Sequence, residues 1–379
     1  MKFVVLGGYG IIGKIVVEDL FKTCKNCEII VAGRDFAKVK AYASSFKSNR
    51  IKAKEIDINN ENQLVNLIKN SDVVVNCLQY YFNVQIMKSC LKAKTNYVDL
   101  GGLFHETKKQ LKLNNEFKKI GKLAIIGCGG APGITNVLAT YGSKFVKKIS
   151  SVEITFADAD YTKYNQEFVL PYSFKTIADE FSLKPAVFKN GKTTFAEPQS
   201  GRKTYDFGSE FGKQEGFYSL HSEIATIPKS VDKGIKNCEF RVTFPQDFIN
   251  KINVLIENGF ASKENLKFNG KDISTIDITS ELMNRLLPKQ GTEIDDREML
   301  RVIINDKMTI DAITKSDGKN SAGVLDTAVP CSIAAQMIAK NEIKGTGVLP
   351  PEKAINYSLF FKELRKRKIT IIKNGRIIN

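Results

Sequence analysis

Short apolar runs alternate with amphipathic stretches of helical length through residues 2–130 of this chain. The apolar runs, which we predict to be β-strands, are Lys2–Leu6, Glu28–Ala32, Ile51–Ile56, Asp72–Asn76, Asn96–Leu100 and Lys122–Ile126. Such alternation is typical of βαβ units with right-handed crossovers, which build a parallel sheet covered by helices on both faces. The sequence therefore predicts an α/β fold that begins with a doubly wound Rossmann sheet.

The regular alternation of predicted strands and helices ends after Gly133. "GITNVLATYGSKFVKKI" predicts a helix and "SSVEITFADAD" a strand, and the loops between residues 160 and 330 are longer. Strands such as "KNCEFRVTF" and "MLRVIINDKMTIDAIT" indicate an antiparallel or mixed sheet, and "CSIAAQMIAKNEI" predicts a late helix. We expect residues 1–131 to form the Rossmann domain and residues 132–330 a second, α+β domain with a mixed sheet.

The net charge of +16 does not indicate a nucleic-acid partner. Only ten of the 57 basic residues are arginines, the lysines are spread along the chain, and no segment interleaves aromatics with dense basic residues. The densest run, "KELRKRK" at 362–368, is interpreted as a solvated helix end rather than a phosphate-binding patch.

No membrane partner, secretion signal or metal site is expected either. No apolar run reaches the ~18 residues of a membrane helix, and the chain starts directly with a strand, which favours a cytoplasmic location. Seven scattered cysteines indicate free thiols. Cys24 and Cys27 form a C-x-x-C pair, but a second pair is missing and the two histidines lie far away in sequence.

The stretch "KFVVLGGYGIIGK" contains a G-x-G-x-x-G motif where the first strand gives way to a helix. The first glycine permits a tight turn, the second lets a pyrophosphate approach the backbone, and the third lets helix and strand pack closely. Free N–H groups at the helix N-terminus then favour phosphate. The dinucleotide-binding residues that the motif predicts are Gly8, Tyr9, Gly10, Ile11, Ile12 and Gly13.

The end of the second predicted strand indicates which dinucleotide binds. NAD sites usually place an acid there for the ribose hydroxyls, whereas this chain has Gly33 and Arg34, with Asp35 one position later. Arg34 could pair with a 2′-phosphate, assisted by Lys38 one helical turn on. The sequence favours NADP, and Asp35 keeps NAD possible.

Ligands of open parallel sheets bind beyond the carboxyl ends of the strands, so the residues that follow each strand are candidates for the site. For the cofactor these are Asp57, Leu78 and Gly101; for the chemistry and the substrate they are Tyr80, Asp99, Gly102 and His105. The loop "GCGGAPGITN" follows the sixth strand. Any single loop here could be turn chemistry alone, and the joint pattern is what indicates a site.

Several stretches resemble the saccharopine dehydrogenase superfamily, which includes saccharopine reductases and lysine 6-dehydrogenases. They are "GGYGIIG", "VVNCLQYYFN", "NYVDLGG", "CGGAPGITNVLA", "YSFKTIADEF", "AVFKNGK" and "KGTGVLPPE". The resemblance implies an NAD(P)-dependent oxidoreductase that acts on the C–N bond of an amino acid through an imine. It also implies a homodimer and a C-terminal segment, residues 331–379, that returns to the Rossmann domain.

Oxidation of an amine requires a base, for which the candidates are Asp99, Tyr80, His221 and His105. A turn cap for Asp99 and a half-buried aromatic for Tyr80 are equally compatible with the sequence. Arg241 is the candidate partner for a substrate carboxylate, although a surface strand arginine would look the same. The helix start at Pro132 and Asn136 offers free N–H groups to a carboxylate or to the nicotinamide amide.

A non-catalytic NADP-binding sensor is the alternative function, because sheets of this kind serve many purposes. Proton-handling groups at strand ends, namely Tyr80, Asp99 and Asn136, favour catalysis. The sequence therefore predicts an enzyme with a small-molecule amino-acid substrate.

Overall fold

The computed structural model of the chain describes residues 1–231, 233–289 and 291–379. The strands are β1 Lys2–Leu6, β2 Glu28–Gly33, β3 Ile51–Glu55, β4 Val73–Asn76, β5 Asn96–Asp99, β6 Leu123–Ile125, β7 Ser151–Asp160, β8 Ala186–Lys189, β9 Lys192–Phe195, β10 Lys203–Asp206, β11 Lys213–Tyr218, β12 Asn237–Thr243, β13 Asn265–Phe268, β14 Lys271–Ser274, β15 Asp296–Ile304, β16 Met308–Lys315, β17 Gly347–Leu349, β18 Thr370–Lys373 and β19 Arg376–Ile377. The helices are α1 Ile11–Thr23, α2 Phe36–Ser45, α3 Glu61–Ile68, α4 Asn83–Ala93, α5 Phe104–Leu111, α6 Asn114–Lys119, α7 Ile134–Ser143, α8 Phe174–Ser182, α9 Glu223–Ser230, α10 Gln246–Glu257, α11 Thr275–Met283, α12 Ala322–Ala339, α13 Pro351–Ala354 and α14 Tyr357–Lys366.

The first sheet has seven parallel strands in the order β17-β6-β5-β4-β1-β2-β3. Successive residues of β1 pack into different cores: Phe3 and Val5 join one cluster, Val4 and Leu6 the other. Both faces of the sheet are therefore covered at its centre, which explains why the central strands β1, β2 and β4 are predominantly apolar, whereas the edge strand β3, IKAKE, is mostly exposed. The strand order reverses between β1 and β4, the position where such sheets bind ligands.

The second sheet has ten strands and is mixed. Its main path runs β10-β11-β12-β7-β15-β16-β18-β19, with β8 and β9 branching from β12. The β12–β7 pair is parallel and the other pairs are antiparallel. The α/β class with a Rossmann sheet and a mixed second sheet is confirmed.

Helix α12 joins the two halves of the molecule, because it packs against α1, β4 and β5 on one side and against β15 and β16 on the other. By length and composition it could cross a membrane, at a mean hydropathy of 1.3, but 72% of it is buried inside the fold. We therefore interpret α12 as a core helix.

The C-terminal segment divides between the sheets. β17 extends the first sheet beside β6, whereas β18 and β19 extend the second sheet beside β16. The predicted division of the chain at residues 131 and 330 stays a prediction, and besides β17 the end of α12 and the Arg367 side chain also contact the first domain. In the basic run 362–368, Lys362, Arg365, Lys366 and Lys368 are exposed as expected of a solvated helix end. Arg367 differs, because Asp19 holds it against α1 with only 8% of its side chain exposed.

Candidate active site

The glycine loop links β1 to α1 at the point where the strand order reverses. Gly7 takes a positive φ of 70°, and the Gly10 N–H closes the turn by donating to the Gly7 carbonyl at 2.9 Å. A Cβ on Gly13 would overlap the Gly7 carbonyl and lie 2.8 Å from Gly8 Cα. This turn and α1 are therefore in contact through backbone alone.

The rim of the loop fits a diphosphate. Gly10 is exposed, and a Cβ on it would meet only the Gly7 carbonyl, at 3.3 Å. Among the residues that the structure describes, no side chain caps α1, and Ile11 in its first turn is 56% exposed. The first N–H groups of this helix are thus available to an anion that approaches bare backbone.

At the end of β2, an exposed arginine follows the residue that touches the loop. The Tyr9 ring covers Gly33, where a Cβ would overlap it. Asp35 caps α2 by accepting from the Lys38 N–H at 3.1 Å, and its carboxylate pairs with the Lys38 ammonium at 3.2 Å. Arg34, which lies between Gly33 and Asp35 in the sequence, is exposed.

Asp57 and Leu78, predicted to contact the cofactor, lie at the same end of the sheet. Asp57 is exposed and accepts from the Asn59 N–H at 3.0 Å, as in an Asx turn. Leu78 covers the loop from the β4 side, 2.8 Å from where a Gly7 Cβ would stand. Both roles stay predictions that this placement allows.

A cleft of about 420 Å³ separates the loops after β4 and β5 from the second domain. Its lining comprises Gln79, Tyr80, Tyr81, Leu103, His105, Glu106, Lys175, Asp179, Leu183, Leu220, Lys263 and Ile276. His105 is exposed on its wall and stacks on Phe195 at 5.6 Å. Gly102 lies close against Tyr80, because a Cβ on it would be 3.3 Å from Tyr80 Cβ.

Tyr80 bridges this cleft. Its hydroxyl donates to Asp179 of α8, and the other Asp179 oxygen pairs with Lys263 at 2.9 Å. Burial and the Asp179 carboxylate raise the pKa of Tyr80 well above its ordinary value. The phenol is therefore a neutral donor at physiological pH, on the edge of the cleft.

Asp99 lies under the cleft rather than on its wall. The side chain is 1% exposed, and Oδ1 accepts from the N–H groups of Gly127 at 2.7 Å and Gly101 at 3.0 Å. The amide of Gln110 donates to Oδ2. Burial raises the pKa of Asp99. Its carboxylate fixes the loops after β5 and β6 together, and no substrate ammonium can reach it in this conformation.

His221 is also buried. Its Nδ1 lies 2.7 Å from a Glu223 oxygen, and its ring stacks on Phe240 at 3.6 Å. Burial lowers the pKa of His221, but Glu223 and Glu180 raise it more, so the net shift is upward. The neighbouring Glu180, which accepts from the Tyr172 hydroxyl at 2.6 Å, has its pKa raised to about 7 by burial.

The start of α7 is closed by its own side chains. Asn136 accepts from the Gly133 N–H at 2.9 Å and donates to Glu352 at 2.8 Å. Pro132 packs against Gly101, where a Cβ would lie 2.6 Å away. These residues shape the loop after β6, and the structure does not present Asn136 to the cleft.

Arg241 is not brought to the cleft. Its guanidinium is bound by Glu153, by Glu239 at 2.7 Å and by the Gly201 carbonyl at 2.7 Å, over the Tyr218 ring. All three nitrogens are engaged and the residue is 5% exposed, so a substrate carboxylate would have to displace these partners. The sequence could not show that Arg241 lies in the interior, because a single arginine on a predicted strand does not indicate which face of the sheet its side chain occupies.

Comparison with known families gives two adjoining matches. Residues 3–125 match the saccharopine dehydrogenase NADP binding domain, and residues 129–369 match the saccharopine dehydrogenase C-terminal domain. The chain belongs to the saccharopine dehydrogenase family. A solved structure of saccharopine dehydrogenase (L-Glu forming) from Saccharomyces cerevisiae superposes with a TM-score of 0.72 over 100% of both chains, at 15% identity. The predicted resemblance is confirmed.

The names of two curated relatives of this chain refer to amines. Carboxyaminopropylagmatine dehydrogenase of a Synechocystis species is 23% identical over 301 residues, covering 77% of this chain and 74% of its own length. Carboxynorspermidine synthase of Vibrio cholerae is 23% identical over 284 residues, covering 68% and 67%. The family and the relatives support an oxidoreductase with a nicotinamide-cofactor domain.

The sequence alone did not identify the residues that the second domain contributes to the candidate site. Asp179 and Lys263 reach the cleft from α8 and from the segment before β13. The sequence identifies "YSFKTIADEF" as a motif, but which of its acids faces the cleft depends on how α8 is rotated about its axis. Cys24 and Cys27 are buried thiols, and the described residues hold no group of three or more potential ligands able to bind a metal.

Proposed function

We propose that this protein is an NADP-dependent oxidoreductase that transfers a hydride to or from the carbon–nitrogen bond of an amine that carries an amino-acid group. The observation that carries the proposal is the bare-backbone glycine loop, next to the exposed Arg34 and at the same end of the first sheet as the Tyr80 cleft. The curated relatives act, by their names, on carboxylated amines.

The chemistry of the reaction determines what NADP and the protein each contribute. NADP, when bound, supplies the hydride exchange, and the protein orients the substrate and handles its proton. Oxidation requires a neutral amine and gives an imine, and the reverse reaction reduces an imine. Tyr80 and Asp179 are the pair that we expect to orient the substrate nitrogen, while Asp99 holds the two loops in place.

Turnover tests the proposal directly. We expect NADPH absorbance to fall when the protein is mixed with a primary amine and an aldehyde or keto acid that carries a carboxylate, because the imine that they form is reduced. Tight NADPH binding without turnover of any pair would favour the sensor alternative. Failure to bind NADPH would refute both functions.

Arg34→Ala is expected to weaken NADPH binding by about tenfold and to leave NADH binding unchanged, because a 2′-phosphate loses its charge-assisted partner. Fluorescence titration with each dinucleotide measures the two affinities. Lys40→Ala, which removes an exposed charge from the same helix α2, is the control. Equal losses for NADPH and NADH would show that Arg34 does not read the phosphate.

Tyr80→Phe is expected to lower kcat/KM by about tenfold, because the variant keeps the ring and loses a hydrogen bond to a carboxylate at the cleft. Steady-state kinetics on the best substrate pair measure this. Tyr161→Phe is the matched control, since Tyr161 is 53% exposed and lies outside the cleft. Equal kcat/KM in both variants would show that the Tyr80 hydroxyl does not contribute to the reaction.

The predicted homodimer, the cytoplasmic location and the donor class, CH–NH or CH–NH₂, belong to the proposal as well. Direct mass measurement in solution tests the dimer. Product analysis tests the donor class, because a primary amine donor would release ammonia and a secondary amine donor would release a second amine.

A further inference from the structure

The ion pair between Asp179 and Lys263 joins a buried side chain to an exposed one. The Asp179 side chain is 11% exposed and that of Lys263 is 68% exposed, with Nζ 2.9 Å from Asp179 Oδ1. The other Asp179 oxygen accepts from the Tyr80 hydroxyl. A buried carboxylate that loses its cation is costly, whereas an exposed lysine loses little when its ammonium returns to water. Lys263 is therefore the exchangeable member of the pair.

The backbone on both sides of Lys263 is held against the start of α11. The Ser262 carbonyl accepts from the Ile276 N–H at 3.1 Å, and the Glu264 carbonyl accepts from the Thr275 hydroxyl at 3.0 Å. Ile276 also lines the cleft. The long, flexible stem of the lysine can thus move its ammonium at the cleft opening while the main chain stays in place.

The other charged side chains that line the cleft have partners of their own. Lys175 pairs with Asp277 at the rim, and Glu106 pairs with Lys109 of the same helix, α5. A cation that binds Asp179 therefore displaces Lys263 alone, and it leaves these two pairs intact.

We propose that substrate binding exchanges the Asp179–Lys263 ion pair. The protonated nitrogen of the substrate takes the place of the Lys263 ammonium at Asp179, and Lys263 binds the substrate carboxylate. Lys263 is then a specificity-determining residue, in the role for which Arg241 was predicted. The inference rests on the proposed function, which sets the substrate nitrogen at Tyr80 and Asp179.

The charge balance of the exchange explains its selectivity. A substrate with both a protonated nitrogen and a carboxylate replaces one ion pair by two, so every charge keeps a partner. An amine without a carboxylate displaces Lys263 from Asp179 and offers nothing in return. Lys263 thus assists the binding of carboxylated amines and competes with all other amines for Asp179, which is how a single side chain discriminates between two ligands.

Calorimetric titration of the protein in excess NADP⁺ tests the exchange with two ligands. N-propylglycine is a secondary amine with a carboxylate, and in N-propylglycinamide a neutral amide replaces that carboxylate. We expect the wild type to bind N-propylglycine more tightly. In Lys263→Gln the ratio of the two affinities is expected to fall by about tenfold, because the carboxylate loses a charge-assisted partner. N-propylglycinamide should bind this variant more tightly than it binds the wild type, because the competing ammonium is gone.

Three further variants show whether the effect belongs to the Lys263 charge. Lys263→Arg keeps a cation that binds carboxylates and should retain most of the affinity ratio. Lys175→Gln removes the other lysine of the cleft lining and should leave the ratio unchanged. Lys267→Gln removes an exposed charge from the neighbouring strand β13 and should behave like the wild type.

The outcomes separate this exchange from the proposed function. General damage to the cleft would weaken both ligands and leave their affinity ratio unchanged. An unchanged ratio in Lys263→Gln, an equal fall in Lys175→Gln, weaker binding of N-propylglycinamide to Lys263→Gln, or no binding of N-propylglycine to the wild type overturns the exchange and leaves the oxidoreductase untouched. The expected change of the ratio in a protein that reduces no imine supports the exchange and refutes the oxidoreductase.

Discussion

Gly13→Ala is expected to lower NADPH affinity by about 100-fold, because the added Cβ collides with backbone that cannot move aside. The Cβ would overlap the Gly7 carbonyl and lie 2.8 Å from Gly8 Cα. To relieve this contact, α1 must shift away from the turn, and its N–H groups then move away from the phosphates. Fluorescence titration of NADPH measures the loss, and circular dichroism shows whether the variant is folded.

Gly121→Ala separates this collision from the general cost of replacing a glycine. Gly121 has a φ of +64°, and a Cβ there would have nothing within 4 Å. The control is expected to lose about 1 kcal/mol of stability from the left-handed conformation and to bind NADPH like the wild type. NADPH affinity in Gly13→Ala equal to that of Gly121→Ala would refute the role of the glycine loop.

The parallel sheet was predictable because its strands are buried on both faces. β1 has the predicted bounds, Lys2–Leu6, and β2 extends one residue beyond the prediction, to Gly33. Burial on both faces gives the central strands β1, β2 and β4 short, predominantly apolar sequences, and the glycine loop marks the first strand-to-helix turn. These signals are local, so a single sequence contains them.

Helix α12 shows where a local signal fails. The periodic stretch that begins at Cys331 predicts a helix there, whereas the helix begins at Ala322. Pro330 lies inside it and resembles a helix start in the sequence. The true start is set by Ser321, which caps the Val324 N–H, and by Asp296 of β15, which accepts from the Ala322 N–H at 2.8 Å. The second of these contacts is tertiary and has no signature in the helix sequence.

The site was only partly predictable for the same reason. Tyr80 meets Asp179, 99 residues away, and Arg241 meets Glu153, 88 residues away. Both pairings depend on which face of a strand or helix a residue occupies in the folded protein, and the first also depends on how the two domains dock. Strand-end loops of the first sheet could be identified by position alone, whereas the second-domain residues that face them could not.

Arg367→Ala is expected to destabilise the protein by about 3 kcal/mol, because it leaves the buried Asp19 carboxylate without its cation. Arg367 Nε donates to Asp19 Oδ1 at 2.7 Å and Nη2 to Oδ2 at 3.0 Å, while Ser332 of α12 donates to the same Oδ2 at 2.6 Å. This contact joins residues 348 positions apart and holds the C-terminal segment against α1. Urea unfolding measures the loss.

Two comparisons identify the cause of that loss. Arg365→Ala removes an exposed arginine two positions earlier and is expected to change stability by less than about 0.5 kcal/mol. The double variant Asp19→Leu with Arg367→Met removes both charges and is expected to recover most of the stability, because apolar side chains can replace a buried ion pair. Since α1 carries the phosphate-binding turn at its other end, saturating NADPH should raise the stability of Arg367→Ala. An equal loss in Arg365→Ala, or no recovery in the double variant, would show that the C-terminal segment is held to α1 by packing instead of by this ion pair.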